Sequence, residues 1–157
     1  MATKDDKKHV NLDHAREDDQ REVMEKIKKD DTCPFCLEKL KQYHTKPIKL
    51  LSNHWILTEN AYPYPGTKYH YLLISRNHYT DFNELSDDEK INLFEILNKV
   101  QSDDNMKGGT LIMRWGDTER NGATVVHLHA QLIVGTSREE GDGPILTTIG
   151  YKVPGQD

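Results

Sequence analysis

The chain has 157 residues and a formal net charge of -5, with 35% hydrophobic and 30% charged residues, which suits one domain with a short appendage. No run approaches the roughly 18 apolar residues of a membrane span, and the charged start MATKDDKKHV lacks the apolar centre of a signal peptide, so a cytoplasmic protein with no membrane partner is expected. The acidic balance argues against a nucleic acid polymer as partner, but not against a small phosphorylated ligand, which needs only a local nest of donors.

Residues 1–31 are dominated by Lys, Arg, Asp and Glu. Asp13 is placed to cap a helix reaching about Lys29, whose apolar stripe is limited to Ala15, Val23, Met24 and Ile27. This charged N-terminal extension is expected to be a solvated or partly docked helix, with its first dozen residues frayed. From residue 32 to 157 a single domain is expected. Apolar runs at WILT (55–58), YHYLLIS (69–75), TLIMRW (110–115) and TVVHLHAQLIV (124–134) read as strands. AYPYPG breaks the first two, and GDTERNG joins the last two like a hairpin. Between the second and third strands, Ser86 and Glu89 form a capping box, and Ile91, Phe94, Leu97 and Val100 recur at helical spacing. Gly108 and Gly109 end that helix. The tail after Gly135 reads as loop with one short strand at PILTTIG. Strand, strand, long helix, strand, strand describes an antiparallel sheet covered by a helix, so the fold class is α+β.

The only cysteines, Cys33 and Cys36, sit in TCPFC. A turn at Pro34-Phe35 aims both sulfurs at one point, as a zinc knuckle requires, and histidines would supply the remaining ligands. A redox pair is the rival, but the preceding KIKKDDT is unlike the buried strand that such a motif follows. A bland pair of free thiols is the third reading. The strand HLHAQ is the other concentration of chemistry. Alternation sends His127, His129 and Gln131 to one face, with same-face neighbours about 6.5–7 Å apart. Two imidazoles at that spacing can serve different partners, one a metal and one a substrate.

HLHAQLI resembles the signature of the histidine-triad superfamily, in which His-φ-His-φ-His-φ-φ lies on a strand and φ is apolar. Its Gln131 resembles the branch containing galactose-1-phosphate uridylyltransferase and diadenosine tetraphosphate phosphorylase. CPFC resembles the zinc knuckle of many members, NAYPYPGTKYHYLLISRNHYTDFNEL the segment before the long helix, and NGAT the phosphate-contacting lead-in. The resemblance covers roughly residues 32–135. It implies a zinc held by Cys33, Cys36, His78 and His127. It further implies His129 as a nucleophile on the α-phosphorus of a nucleotide, and Gln131 as an amide donor to a phosphate oxygen. Thr124 and the backbone around Asn121 and Gly122 would hold other phosphate oxygens, and Asn60 would hold the ribose. Nucleotidyl transfer to phosphate or a sugar phosphate is the implied activity, and a homodimer the implied assembly. Hydrolysis of dinucleoside polyphosphates or phosphoramidates is the alternative, and non-catalytic nucleotide binding a third. Two departures stand out: Gly122-Ala123 replaces the Gly-Gln of many triad hydrolases, and no proline separates the histidines.

Outside that pattern, His70 reads as a satisfied core histidine. His9, His14 and His44 read as surface residues, and His54 as a strand-end residue without a role. Arg76 and Arg114 read as solvated strand ends, although a guanidinium can fork onto two phosphate oxygens. Lys68 and Arg120 lie in loops able to close over an acceptor.

Overall fold

The computed structural model describes residues 7–156. Five strands form an antiparallel sheet: β1 (Ile48–Leu51), β2 (Trp55–Glu59), β3 (Tyr69–Ser75), β4 (Thr110–Arg114) and β5 (His129–Val134), in the order β1-β2-β3-β5-β4. Three α-helices accompany them: α1 (Asp18–Asp30), α2 (Leu37–Tyr43) and α3 (Asp87–Asp103). The α+β reading therefore holds, with α3 as the long helix packed on the sheet.

Strand alternation sorts the core into two layers. Leu57, Tyr71, Leu73 and Ala130 face α3, where Leu93, Ile96 and Val100 meet them. Ile56, Leu72 and Ile74 face the other way and pack on Leu40 of α2. Each leucine, isoleucine or valine among them contributes about 1.5–3 kcal/mol on full burial. Period two then places His129 and Gln131 on the α2 side, because they pair with Ile74 and Leu72.

The face that α3 buries is only partly the expected one: Leu97 and Val100 pack on the core, but Ile91 and Phe94 do not. Ile91 and Phe94 are both 58% exposed, whereas Leu93, Ile96 and Val100 are buried. The helix carries two apolar stripes, and spacing alone does not say which one meets a sheet. The expected cap is present: Ser86 accepts from the Glu89 N–H, and Glu89 reaches back to the Ser86 N–H.

The charged extension also behaves differently. Asp13 caps no long helix; it lies in a short 3₁₀ turn, Leu12–His14, capped by Asn11. Residues 1–6 lie outside the described chain, but Val10 and Asn11 are fully buried, so the expected fraying does not reach them. Met24 and Ile27 of α1 close over Val10 as a small separate core. Val10 bridges Val125, and the Asn11 N–H donates to the Thr124 carbonyl at 2.9 Å. That docking pairs residues 124–126 with the N-terminal segment, and β5 begins at His129 rather than at Thr124. PILTTIG forms no strand. Among the described residues no helix is long and apolar enough to cross a membrane.

Candidate active site and metal centre

The metal group assembles from three places. Cys33 and Cys36 flank the turn before α2, His78 follows β3, and His127 precedes β5. The loop carrying His78 is fixed by the start of α3: the Glu89 carboxylate accepts from the Asn77 amide and the Tyr79 hydroxyl, both at 3.1 Å. The Leu128 N–H donates to the Tyr79 carbonyl at 2.7 Å, which ties the same loop to His127. Four candidate ligand atoms lie within 4.8 Å of one another. Cys33 Sγ stands 3.3 Å from His127 Nδ1, and Cys36 Sγ stands 3.4 Å from His78 Nδ1 and 3.8 Å from His127 Nδ1. A tetrahedral zinc with its usual bond lengths sets sulfur–nitrogen edges of about 3.5 Å, so the donor set fits.

The protonation pattern agrees with that fit. His127 Nε2 lies 2.7 Å from the Ser75 carbonyl, an acceptor only, so its proton sits there and Nδ1 keeps a bare lone pair towards the sulfurs. Burial, and then the adjacent Cys33 sulfur, push the Cys36 thiol up to about 12. Two sulfurs too close to ionise separately suit a shared cation. A redox pair needs the opposite, a lowered thiol.

The same logic fixes His129. Its Nδ1 lies 2.8 Å from the His127 carbonyl, so it donates there and leaves Nε2 as the free base. Burial holds the ring down to about 4, and the Arg114 charge acts in the same direction. The imidazole is therefore neutral near pH 7. Phe35 stands edge-on against it at 5.1 Å between ring centroids.

Gln131 is oriented by His70, a link that the sequence did not suggest. The Tyr64 backbone N–H donates to His70 Nδ1 at 3.1 Å, so His70 carries its proton on Nε2. That N–H donates to Gln131 Oε1 at 2.8 Å. With Oε1 engaged, the amide NH₂ of Gln131 is the end left for a ligand. His70 is thus a satisfied core histidine with a second effect, since it settles which way the amide points.

His129 and Gln131 line a cavity of about 600 Å³ together with Asn60, Gly122 and Thr124. Asn60 faces it with its Oδ1 accepting from the Tyr62 N–H at 2.9 Å. Asn121 is placed otherwise: its amide donates to the Trp115 carbonyl at 3.1 Å, and its Oδ1 accepts from Ala123 N–H at 2.8 Å, so it shapes the loop. His14 and His44, expected at the surface, both line the cavity. His14 Nδ1 donates to the Ala123 carbonyl at 2.7 Å, and His44 Nε2 sits 2.8 Å from Thr58 Oγ1. His9 is half-buried, with its ring 6.5 Å from that of His78. Arg114 is buried as well, opposite His129 on β4. Arg16 lies 4.4 Å over the Tyr64 ring and donates to the Tyr62 carbonyl at 2.6 Å. No periodic signal marks His14 or Arg16, which the docked N-terminal segment brings to the cavity.

The antiparallel sheet presents His129 and Gln131 beside a Cys/His group, with α3 behind. Residues 62–138 match the family model of the HIT domain. Among solved structures, the chain resembles a HIT family hydrolase from Clostridium thermocellum, at 27% identity over 73% of this chain and 96% of that one, with a TM-score of 0.56. A zinc-bound histidine triad family protein from Mycobacterium smegmatis has the same fold at 13% identity, over 70% of this chain and 79% of that one (TM-score 0.54). A hypothetical protein from Leishmania major does so at 20% identity, over 81% and 82% (TM-score 0.54). No curated protein matches the chain.

Proposed function

We propose that the protein is a nucleotidyltransferase working through a covalent nucleoside-monophosphate adduct on His129. One observation carries this: the His127 carbonyl holds the proton on Nδ1, which leaves a neutral, buried Nε2 at the cavity wall. In the first step Nε2 forms a bond to the α-phosphorus, and the bond from phosphorus to the leaving oxygen breaks, its electron pair leaving with that oxygen. In the second step an acceptor oxygen attacks phosphorus and returns the electron pair to Nε2. Splitting the displacement this way replaces one hard step by two easier ones. The Gln131 amide donates to a non-bridging oxygen throughout, where a fixed donor is most effective. Thr124 and the backbone at Asn121 and Gly122 receive the other oxygens, and Asn60 the ribose. Cys33, Cys36, His78 and His127 would hold a structural zinc, which would tie the knuckle to the segment before β5 and so help to hold His129 in place.

The acceptor follows from Gln131. An amide held by His70 has no proton to give a leaving group and cannot help ionise water, so the adduct waits for phosphate or a sugar phosphate. Water as acceptor is the second reading, favoured by the likeness to the Clostridium thermocellum hydrolase. The test is turnover of nucleoside triphosphates, sugar nucleotides and dinucleoside polyphosphates, with water, phosphate or sugar phosphates as acceptors. Acceptor-dependent transfer that vanishes in His129→Ala supports the reading. Turnover that survives His129→Ala sinks it.

A further inference from the structure

Arg114 stands at the end of β4, directly opposite His129, so the two side chains share a face of the sheet. It is only 8% exposed, and among the described residues no carboxylate pairs with it. Its Nε is buried without a hydrogen-bond partner. A buried guanidinium without a counter-charge is costly and persists where an anion compensates it.

What satisfies it here is the C-terminal segment. Arg114 donates through one terminal nitrogen to the Thr148 carbonyl at 2.6 Å and the Thr147 hydroxyl at 2.9 Å. The Thr148 carbonyl in turn presses on the loop before β5, lying 2.6 Å from where a Cβ on Gly122 would stand. A neutral oxygen pair therefore occupies the space between Arg114 and Gly122, beside His129. The segment is lightly held: Leu146 and Ile149 are 78% and 77% exposed, and the Tyr151 hydroxyl donates to His14 Nε2 at 2.8 Å.

We infer that Arg114 is an anion-binding residue of this site, taking the phosphoryl oxygens of a bound nucleotide, and that Thr147 and Thr148 stand in for those oxygens until the ligand displaces them. A guanidinium binds a phosphate with charge-assisted, forked bonds that a hydroxyl and a carbonyl cannot match. The exchange thus favours the ligand, and Nε gains the partner that it lacks. This rests on the nucleotide reading of the cavity but needs no covalent step.

Calorimetric titration with AMP, GMP, CMP and UMP, each against its nucleoside, and with inorganic pyrophosphate, tests it on the full chain. Arg114→Gln is expected to weaken the phosphate-bearing probes by ~10-fold or more while leaving nucleosides within ~2-fold, with Arg114→Lys in between. Thr147→Val combined with Tyr151→Phe frees the segment, and should tighten the same probes a few-fold only where Arg114 is present. Amide exchange at residues 145–151 should rise on binding. Should Arg114→Gln fail to fold, Arg114→Lys and the Thr147/Tyr151 pair decide. Equal losses for monophosphate and nucleoside would overturn the inference, as would no binding of any phosphate-bearing probe or exchange that slows on binding. If this pattern holds while no His129 adduct forms, the covalent reading falls and the anion site stands.

Discussion

Replacing His70 by leucine tests whether Gln131 is set by its neighbour. Leucine fills a comparable volume but neither accepts from the Tyr64 N–H nor donates to Gln131 Oε1, two contacts of 3.1 and 2.8 Å in a buried site. An unsatisfied buried N–H costs about 1–3 kcal/mol and the lost hydrogen bond about 1 kcal/mol, partly offset by apolar burial. A net loss of about 2–3 kcal/mol lowers Tm by about 4–12 °C in a chain of this size, readable by calorimetry. The kinetic effect is separate. Gln131→Leu removes the donor outright, and loss of such a donor costs about 10²–10³ in kcat. His70→Leu only frees the amide to rotate, so kcat/KM should fall about 10-fold, the equivalent of roughly 1.4 kcal/mol of reordering. If His70 acts through Gln131, the double variant is no slower than Gln131→Leu alone. Losses that multiply in the double variant would refute the coupling.

Removing the knuckle should be costly: Cys33→Ser is expected to lose about one zinc per chain by metal analysis and to destabilise the fold, because binding and folding are linked. On α3, Leu93→Ala and Ile96→Ala should each cost about 2–4 kcal/mol in denaturant unfolding, whereas Ile91→Ser and Phe94→Ser should stay within about 0.5 kcal/mol. Acid should weaken the fold before any carboxylate titrates. Burial holds His70 down to about 4, while the unfolded chain takes up that proton near 6.5, so unfolding binds more protons in between. Stability is then full above about pH 6.5 and declines towards pH 4, visible as a falling urea midpoint, with a shallower fall in His70→Gln.

The parts of this fold that were legible are those with a local physical signature. Ser86 and Glu89 announce the start of α3, and YHYLLIS and QLIV read as strands because apolar runs between turns have few other fates. The convergence of Cys33, Cys36, His78 and His127 was expected through a family resemblance, and no spacing rule links residues so far apart in the chain. What stayed hidden depends on docking between distant segments. α3 offers two apolar stripes, and only the sheet chooses Leu93 and Ile96 over Ile91 and Phe94. IKLL and LEKLKQY are too short and too interrupted by lysine to show a period, so β1 and α2 were missed. TVVH looks like strand, yet the N-terminal segment claims Val125 and Thr124 for itself. His14 sits among polar neighbours and Arg114 ends an apolar strand, and only the folding of two outlying segments brings the first to the cavity and covers the second.

The central claim is that His129 Nε2 attacks phosphorus. Intact-mass measurement at neutral pH, on protein mixed with each nucleotide donor and no acceptor, tests it most directly. The account predicts one nucleoside-monophosphate adduct per chain, mapped to His129 and discharged on adding phosphate or a sugar phosphate. Turnover of a donor with no adduct at any time, or an adduct that persists in His129→Ala, would contradict it.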